Sequence, residues 1–374
     1  MALARYHMRN RRHPLRDAGL LELASDDLGA CELLESFAGE GSASPQGRVW
    51  SLRFEQYEPF LQLVNHLRRW MNEEQSRAVR CRITYEDSAG DAYEDEAAQR
   101  LEKNAEDGTY EAGLAADGWA PIGYLFANVG GDGIADLILN RRFTSYMQPI
   151  VQPSGQSIGY EFLLRPLPEH PPFRPAELFE KAREAGLHSY LDREARDSAI
   201  RLAARHVPQG VKKFVNFLPS SIYRPSSCLE RTFGAIREHA LDPADFVFEV
   251  VETEQLDDIR HLNDIFDAYR GEGIRLAMDD VGEKHATLAA MDRLKPEYVK
   301  LDRKWVTGCH ADAGKQKYID DALDRAARFH GVVLAEGVEQ EEDWRYLAKA
   351  GVPLLQGYLF GRPSPVPLPA SAFI

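Results

Sequence analysis

No stretch of this sequence is apolar for the roughly 18 residues that a membrane helix needs, so no membrane span is expected. Cysteine is scarce. Cys31, Cys81, Cys228 and Cys309 are the only four in 374 residues, and they lie far apart. That pattern excludes a disulfide-built scaffold and fits reduced thiols in a cytoplasm. The 11 histidines show no paired spacing of the kind a metal site uses, and they read as surface or satisfied core residues. Positive charge is in deficit: Lys and Arg number 45 against 59 Asp and Glu, a formal net charge of −14. Such a balance argues against general nucleic-acid binding, which depends on Lys and Arg meeting phosphates. The N-terminal stretch ALARYHMRNRRHPLR is basic but lacks the apolar segment of a signal peptide.

What the chain does have is enough apolar residues, 44% of 374, to bury two cores. It also has polar residues where apolar runs end. Glu161 lies in IGYEFLLRP, Asn216 in FVNFLP, Glu249 in FVFEVVE, Asp279 and Asp280 in IRLAMDD, Asp302 in YVKLD and Glu336 in VVLAEGVE. Each run reads as a buried strand of about five residues. A lone carboxylate in a core costs several kcal/mol, so the repetition implies that these groups meet. In a parallel α/β barrel they would meet on the rim formed by the C-terminal strand ends, where such folds build active sites.

The intervening segments support that geometry. PAELFEKAREAGL, LDREARDSAIRLAARH, LERTFGAIREHAL, IRHLNDIFDAYRGEG, QKYIDDALDRAARFHG and EEDWRYLAKAG carry apolar residues at helical spacing. Candidate strands are YMQPIV, IGYEFLLR, KFVNFL, DFVFEVV, IRLAMD, YVKL, VVLAE and LLQGYLF. Alternating strands and helices mean parallel strands with crossover helices. The first two strands are joined only by PSGQ, too short for a crossover, so they must form a hairpin. The expected class is α/β: a modified (β/α)8 TIM-like barrel with one antiparallel strand, preceded by a smaller α+β domain. The expected boundaries are residues 1–135 and 141–366.

The same motifs resemble those of the EAL domain, the bacterial phosphodiesterase that linearises cyclic di-GMP. The name motif stands here as Glu161-Phe162-Leu163, within a Glu-x-Leu-x-Arg pattern that Arg165 completes. The resemblance continues through Asn216, Glu249-Val-Val-Glu252, Asp279-Asp280, Lys300-Leu-Asp302-Arg303, Glu336-Gly-Val-Glu339 and Gln356-Gly-Tyr-Leu-Phe. It covers roughly residues 141 to 366, with every motif in order.

The resemblance implies hydrolysis of cyclic di-GMP to linear pGpG. Glu161, Asn216, Glu249 and Asp279 resemble ligands of a first metal ion, Asp279 bridging to a second that Asp280 also holds. Glu336 resembles the carboxylate that activates the attacking water, with Lys300 beside it. Glu252 resembles the residue that fixes the loop after strand five. Leu163, Arg165 and Gln356 correspond to ligand-binding positions, and so does Asp302, which would also hold Lys300. The donors are oxygens without Cys or His, which favours Mg²⁺ or Mn²⁺. Two such ions can hold a phosphodiester and activate water. The family also implies a homodimer that pairs beside the loop after strand five.

Some positions read two ways. Arg165 could bind a phosphate or pair with a rim carboxylate. Asp302 could hold Lys300 or cap the following RKWV segment. Asp192 and Arg193, in LDREAR, match a family position near the ligand, yet an Asp also suits a helix start. One departure stands out. Active members carry a loop of the type Phe-Gly-Thr-Gly-Tyr-Ser-Ser after the Asp pair, and here it reads Val281-Gly282-Glu283-Lys284-His285-Ala286-Thr287. This puts turnover in question more than binding. The alternative to an enzyme is a receptor that binds cyclic di-GMP and signals through a protein partner.

The first 140 residues differ in character, with 24 acidic and 14 basic residues. GRVWSLRF, AVRCRITYE and GWAPIGYLFANV look like strands, and EPFLQLVNHLRRWMNEEQ like an amphipathic helix. Between them, Glu86 to Asp117 holds 11 acidic residues and reads as solvated. A regulatory α+β domain is expected. Gly130-Gly131-Asp132-Gly133 invites comparison with the GGDEF cyclase motif, but too little chain follows before the EAL-like region, and a Gly-rich linker is the expectation.

Overall fold

The computed structural model describes residues 18–38, 41–44, 47–84, 119–123, 125–126, 133–222, 224–250, 259–281 and 291–367. The chain divides into two compact units, residues 1–140 with 178–188, and residues 141–177 with 189–374.

The N-terminal unit is built on strands β1 (Gly19–Ser25), β2 (Ser42–Ser44), β3 (Gly47–Phe54), β4 (Arg80–Thr84) and β5 (Ala120–Pro121), with helices α1 (Leu28–Ala38), α2 (Tyr57–Trp70) and α3 (Glu73–Ala78). The sheet order is β2-β3-β1-β4-β5, and its pairings are antiparallel. A helix follows β1 and another follows β3, while β1 lies between β3 and β4. This is the split β-α-β connectivity. Leu21 and Leu23 of β1 are fully buried two residues apart, as one face of a strand requires. The long helix expected from EPFLQLVNHLRRWMNEEQ breaks at Asn72. Its side chain accepts from the Gln75 backbone at 2.8 Å, and Gln75 returns a bond to the Asn72 N–H at 3.0 Å, a capping box that starts α3. GWAPIGYLFANV is not one strand: among its described residues Ala120–Pro121 pair, and residues 122, 123, 125 and 126 are helical. Strand β1 and helix α1 were not anticipated, although GLLELAS alternates as strands do.

The second unit is a closed barrel of β6 (Phe143–Val151), β7 (Ser157–Pro166), β8 (Lys212–Phe217), β9 (Phe246–Val250), β10 (Arg275–Val281), β11 (Tyr298–Leu301), β12 (Val332–Ala335) and β13 (Leu354–Gln356). All eight expected strands are present. β6 runs antiparallel to both β7 and β13, and the other neighbours are parallel. The hairpin at PSGQ is therefore the source of the one reversed strand. Helix α4 (Ile134–Leu139) and most of α5 (Pro175–Glu184) belong to the first unit. The helices of the second are α6 (His188–His206), α7 (Glu230–Glu238), α8 (Ile259–Gly271), α9 (Ala313–Ala327) and α10 (Glu341–Ala350), with single-turn helices at Pro225–Cys228 and Arg303–Val306.

Helix α8 is held by the stripe that its sequence predicts. In α8, Leu262, Ile265, Phe266 and Tyr269 are buried at helical spacing. Tyr269 stacks on Phe248 of β9 with centroids 4.6 Å apart. Each such side chain stabilises the fold by about 1.5–3 kcal/mol. Outward-facing strand residues such as Val215, Phe217, Phe248, Val299 and Val333 form the main core with these helices. Inward-facing Ile150, Phe214, Val247, Ala277, Tyr298, Leu334 and Leu354 form a separate apolar plug inside the barrel.

Candidate active site

That plug positions the polar residues. Phe214, Val247, Ala277, Tyr298, Leu334 and Leu354 each precede by two residues Asn216, Glu249, Asp279, Lys300, Glu336 and Gln356. A strand repeats its facing every second residue. Each polar side chain therefore rises from the same inner face, one layer nearer the C-terminal strand ends. Glu161 joins them from β7. The β10–β11 register shifts between Met278 and Val281, so that β10 carries one extra residue at Asp279–Asp280. Bulges of this kind re-aim side chains beside functional sites.

The groups converge on Lys300. Its side chain is 1% exposed, and its Nζ lies 2.8 Å from Glu336 Oε1, 2.9 Å from Glu249 Oε2, 3.1 Å from Asp279 Oδ1 and 3.5 Å from Glu161 Oε1. Asn216 Nδ2 donates to Glu161 Oε1 at 3.1 Å, and Gln356 Nε2 donates to Glu161 Oε2 at 2.8 Å. Burial pushes the carboxyls of Glu249 and Glu336 well above the usual carboxylate range, and the neighbouring carboxylates add to it against the pull of Lys300. Burial acts on Glu161 as well, but Lys300 and the two amide donors outweigh it and hold its pKa low. Burial would also discharge Lys300, yet the carboxylates, led by Asp279, keep it protonated far above its ordinary range.

Two glycines set the rim. Gly337, between Glu336 and Val338, has φ +68°, and a Cβ there would sit 2.4 Å from Arg303 Cγ. Gly357, next to Gln356, lies so close to Val338 that a Cβ would stand 2.0 Å from its carbonyl oxygen. Backbone bonds seal the contact: Val338 N–H donates to Gln356 O at 3.0 Å and Leu359 N–H donates to Val338 O at 3.1 Å. The turns bearing Glu336 and Gln356 are thus clamped together. Sequence reasoning passed over both glycines, although each directly follows a candidate site residue.

The remaining candidates fall in different places. Arg165 is half-buried, and its Nη1 donates to Leu164 O at 2.7 Å; among the described residues it forms no ion pair with a rim carboxylate. Leu163 is half-buried on β7, opposite Tyr146. Asp302 accepts from Lys304 N–H at 2.9 Å and caps the Arg303–Val306 turn. The ion pairs of Lys300 are with the four carboxylates and do not include Asp302, which stands past the end of β11 where the chain turns away. Asp192 is one turn inside α6 rather than at its start, and Arg193 lies over the Tyr190 ring at 5.1 Å. Glu252 and the loop from Gly282 to Thr287 lie outside the described residues, as do the side chains of Asp280 and Val281.

The family model described as "EAL domain" matches residues 133–363, more than half of the chain. The chain belongs to the EAL domain family. Over 232 residues it is 25% identical to the bifunctional diguanylate cyclase/cyclic di-GMP phosphodiesterase MucR of Pseudomonas aeruginosa, covering 60% of this chain and 33% of that protein. The chain spans between 28% and 45% of the length of eight curated relatives it matches. Among solved structures, a standalone EAL protein from Vibrio cholerae in its c-di-GMP-bound form is 30% identical, with a TM-score of 0.54, over 59% of this chain and 92% of that one. The MucR phosphodiesterase in complex with c-di-GMP is 25% identical, with a TM-score of 0.56, over 62% and 96%.

The EAL site of this chain suits a hard divalent cation by its chemistry. The donors are carboxylate and amide oxygens. Among the described residues, four carboxylates face one ammonium, a set that carries excess negative charge when all four are ionised. Glu249 Oε1 is buried and has no hydrogen-bond partner among the described residues. Among those residues no three His, Cys, Asp or Glu side chains are grouped to hold a metal ion; the carboxylates turn toward Lys300 instead. No helix among them is long and apolar enough to cross a membrane.

Proposed function

We propose that the barrel, residues 141–366, hydrolyses one phosphodiester of cyclic di-GMP to give linear pGpG. The observation that carries this reading is the buried Lys300 ammonium among four rim carboxylates of different strands. An arrangement so costly to bury has a ready explanation as machinery for an anionic substrate. The cyclic di-GMP phosphodiesterase named among the relatives, and the c-di-GMP bound in two solved structures, support the same substrate.

In this reading Glu161, Asn216, Glu249, Asp279 and Asp280 hold two Mg²⁺ or Mn²⁺ ions. When bound, the ions supply positive charge against the phosphodiester and acidify water. Glu336 takes the proton from the attacking water. Lys300, bonded to Glu336, meets the negative charge that grows on the phosphoryl oxygens. Arg165, which forms no ion pair with a rim carboxylate among the described residues, would make a bidentate phosphate contact. Gln356, Leu163 and Asp302 line the approach, and Glu252 steadies the loop after strand five. The phosphorus–oxygen bond to one ribose 3′ oxygen breaks, and that oxygen leaves with a proton.

The reading extends to a homodimer, a cytoplasmic location and a regulatory role for an N-terminal domain of residues 1–135. The buried, free cysteines fit a reducing compartment. Incubation with cyclic di-GMP and Mg²⁺ or Mn²⁺, followed by separation of products, tests the activity; linear pGpG is expected from the wild type and not from Glu161→Ala. Tight binding without product would instead favour a receptor. That second reading draws on one relative, 25% identical over 148 residues, named a blue light- and temperature-regulated antirepressor.

A further inference from the structure

We propose that Asp192 is a positioning residue for Asn216, and through it for cation binding on the rim. The proposal rests on the reading of Asn216 as a cation ligand. Asp192 is 2% exposed on the barrel-facing side of α6. Its Oδ1 accepts from the Leu218 backbone N–H at 3.0 Å, and its Oδ2 accepts from Ser221 Oγ. Leu218 stands two residues beyond Asn216, where β8 ends. The segment it opens is folded on itself: Ser221 N–H donates to Leu218 O at 3.0 Å, and Ser221 Oγ, whose single proton goes to Asp192, lies 2.7 Å from the same oxygen. Asp192 therefore grips both ends of the turn that fixes how far Asn216 reaches toward Glu161, 3.1 Å away.

A carboxylate whose only task was to neutralise a buried cation would need just Arg196, which lies 3.2 Å from Oδ2. Arg196 is anchored elsewhere too, on Thr232 Oγ1 at 3.1 Å and Tyr269 O–H at 3.3 Å. The bonds to Leu218 and Ser221 are extra to that pairing, and they are charge-assisted, the stronger kind. Groups that orient a metal ligand typically change metal affinity by about 10–100-fold when removed.

The test separates the grip from the ion pair. Removing Asp192 alone would strand the buried Arg196 charge, so Asp192→Asn is combined with Arg196→Met, and Arg196→Met alone is the control. Mn²⁺ binding is measured by calorimetry on the full chain, with thermal melting and turnover of cyclic di-GMP in parallel. The expected result is a Mn²⁺ dissociation constant raised at least about tenfold in the double variant and changed by less than about threefold in Arg196→Met. Equal affinity in wild type and double variant overturns the proposal while leaving the cation site intact. Absence of Mn²⁺ binding by the wild type sinks the cation reading itself, and the proposal with it. If the double variant does not fold, Ser221→Ala decides: it removes one bond of the grip and should weaken Mn²⁺ by about tenfold, and wild-type affinity there overturns the idea.

Discussion

Replacing Lys300 with Met removes the cation on which four carboxylates converge and keeps the shape of the side chain. Breaking a buried ion pair by deleting one partner typically costs about 3–5 kcal/mol. Protonation sets a ceiling on the loss. At about pH 7.5, forcing a proton onto a carboxyl of ordinary pKa costs about 4.4 kcal/mol, and at about pH 5.5 about 1.6 kcal/mol. Glu249 and Glu336, already raised by burial, will take that proton first. A folded carboxyl with a raised pKa holds its proton where the unfolded one has lost it. Stability from such a group is present below the unfolded pKa and lost as pH climbs through the folded one. Without Lys300 these pKa values rise further, so the deficit of Lys300→Met should deepen with pH. With about 2–4 °C per kcal/mol for a unit of this size, the expected loss in chelator is roughly 10 °C at about pH 7.5 and less than half of that at about pH 5.5. Mn²⁺ at a hundredfold over its dissociation constant should return about 2.7 kcal/mol. Thermal unfolding of both proteins at the two pH values, with and without Mn²⁺, measures all of this. A melting point within about 2 °C of wild type in chelator at the higher pH, or a larger deficit at the lower pH, would refute the argument.

Three further outcomes follow from the site. Hydrolysis should require Mg²⁺ or Mn²⁺ and be inhibited by Ca²⁺, whose longer bonds and higher coordination number suit a two-ion site poorly; undiminished product in excess chelator would remove the metal mechanism. Glu336→Gln should lower turnover by about 10²–10⁴-fold while cyclic di-GMP affinity stays within about tenfold, read by steady-state kinetics beside equilibrium binding; wild-type turnover would disqualify Glu336 as the base. Gly357→Ala places a methyl against the Val338 carbonyl and should cost about 2–3 kcal/mol, a fall of roughly 5–10 °C in melting, together with weaker ligand binding as Gln356 is displaced; an unchanged melting curve would show that the contact is not tight.

Much of this protein was decided locally, and that part was legible in the sequence. PSGQ is too short for a crossover, so the hairpin of β6 and β7, and with it the single reversed strand, followed from length alone. The eight strands and their helices follow from spacing, because a period of two or of 3.6 is a property of neighbours along the chain. Motifs at the strand ends were enough to name the family. In the N-terminal unit the same reasoning found β3, β4 and α2, but it missed β1 and α1 and drew GWAPIGYLFANV as a strand, for sheet edges end where a partner ends. What only the tertiary structure decided depends on closure. Lys300 comes from β11, and its four partners are brought by β7, β9, β10 and the end of β12; no spacing along the chain records that they meet at one ammonium. The extra residue at Asp279–Asp280 exists only relative to β11. Gly357 matters because Val338 is pressed against it, and Asp192, which could pass for a helix cap, lies a turn inside its helix with its carboxylate on the end of β8. Each of these is a contact between segments distant in sequence, made when the barrel closes and fixed by packing that leaves no room for another arrangement.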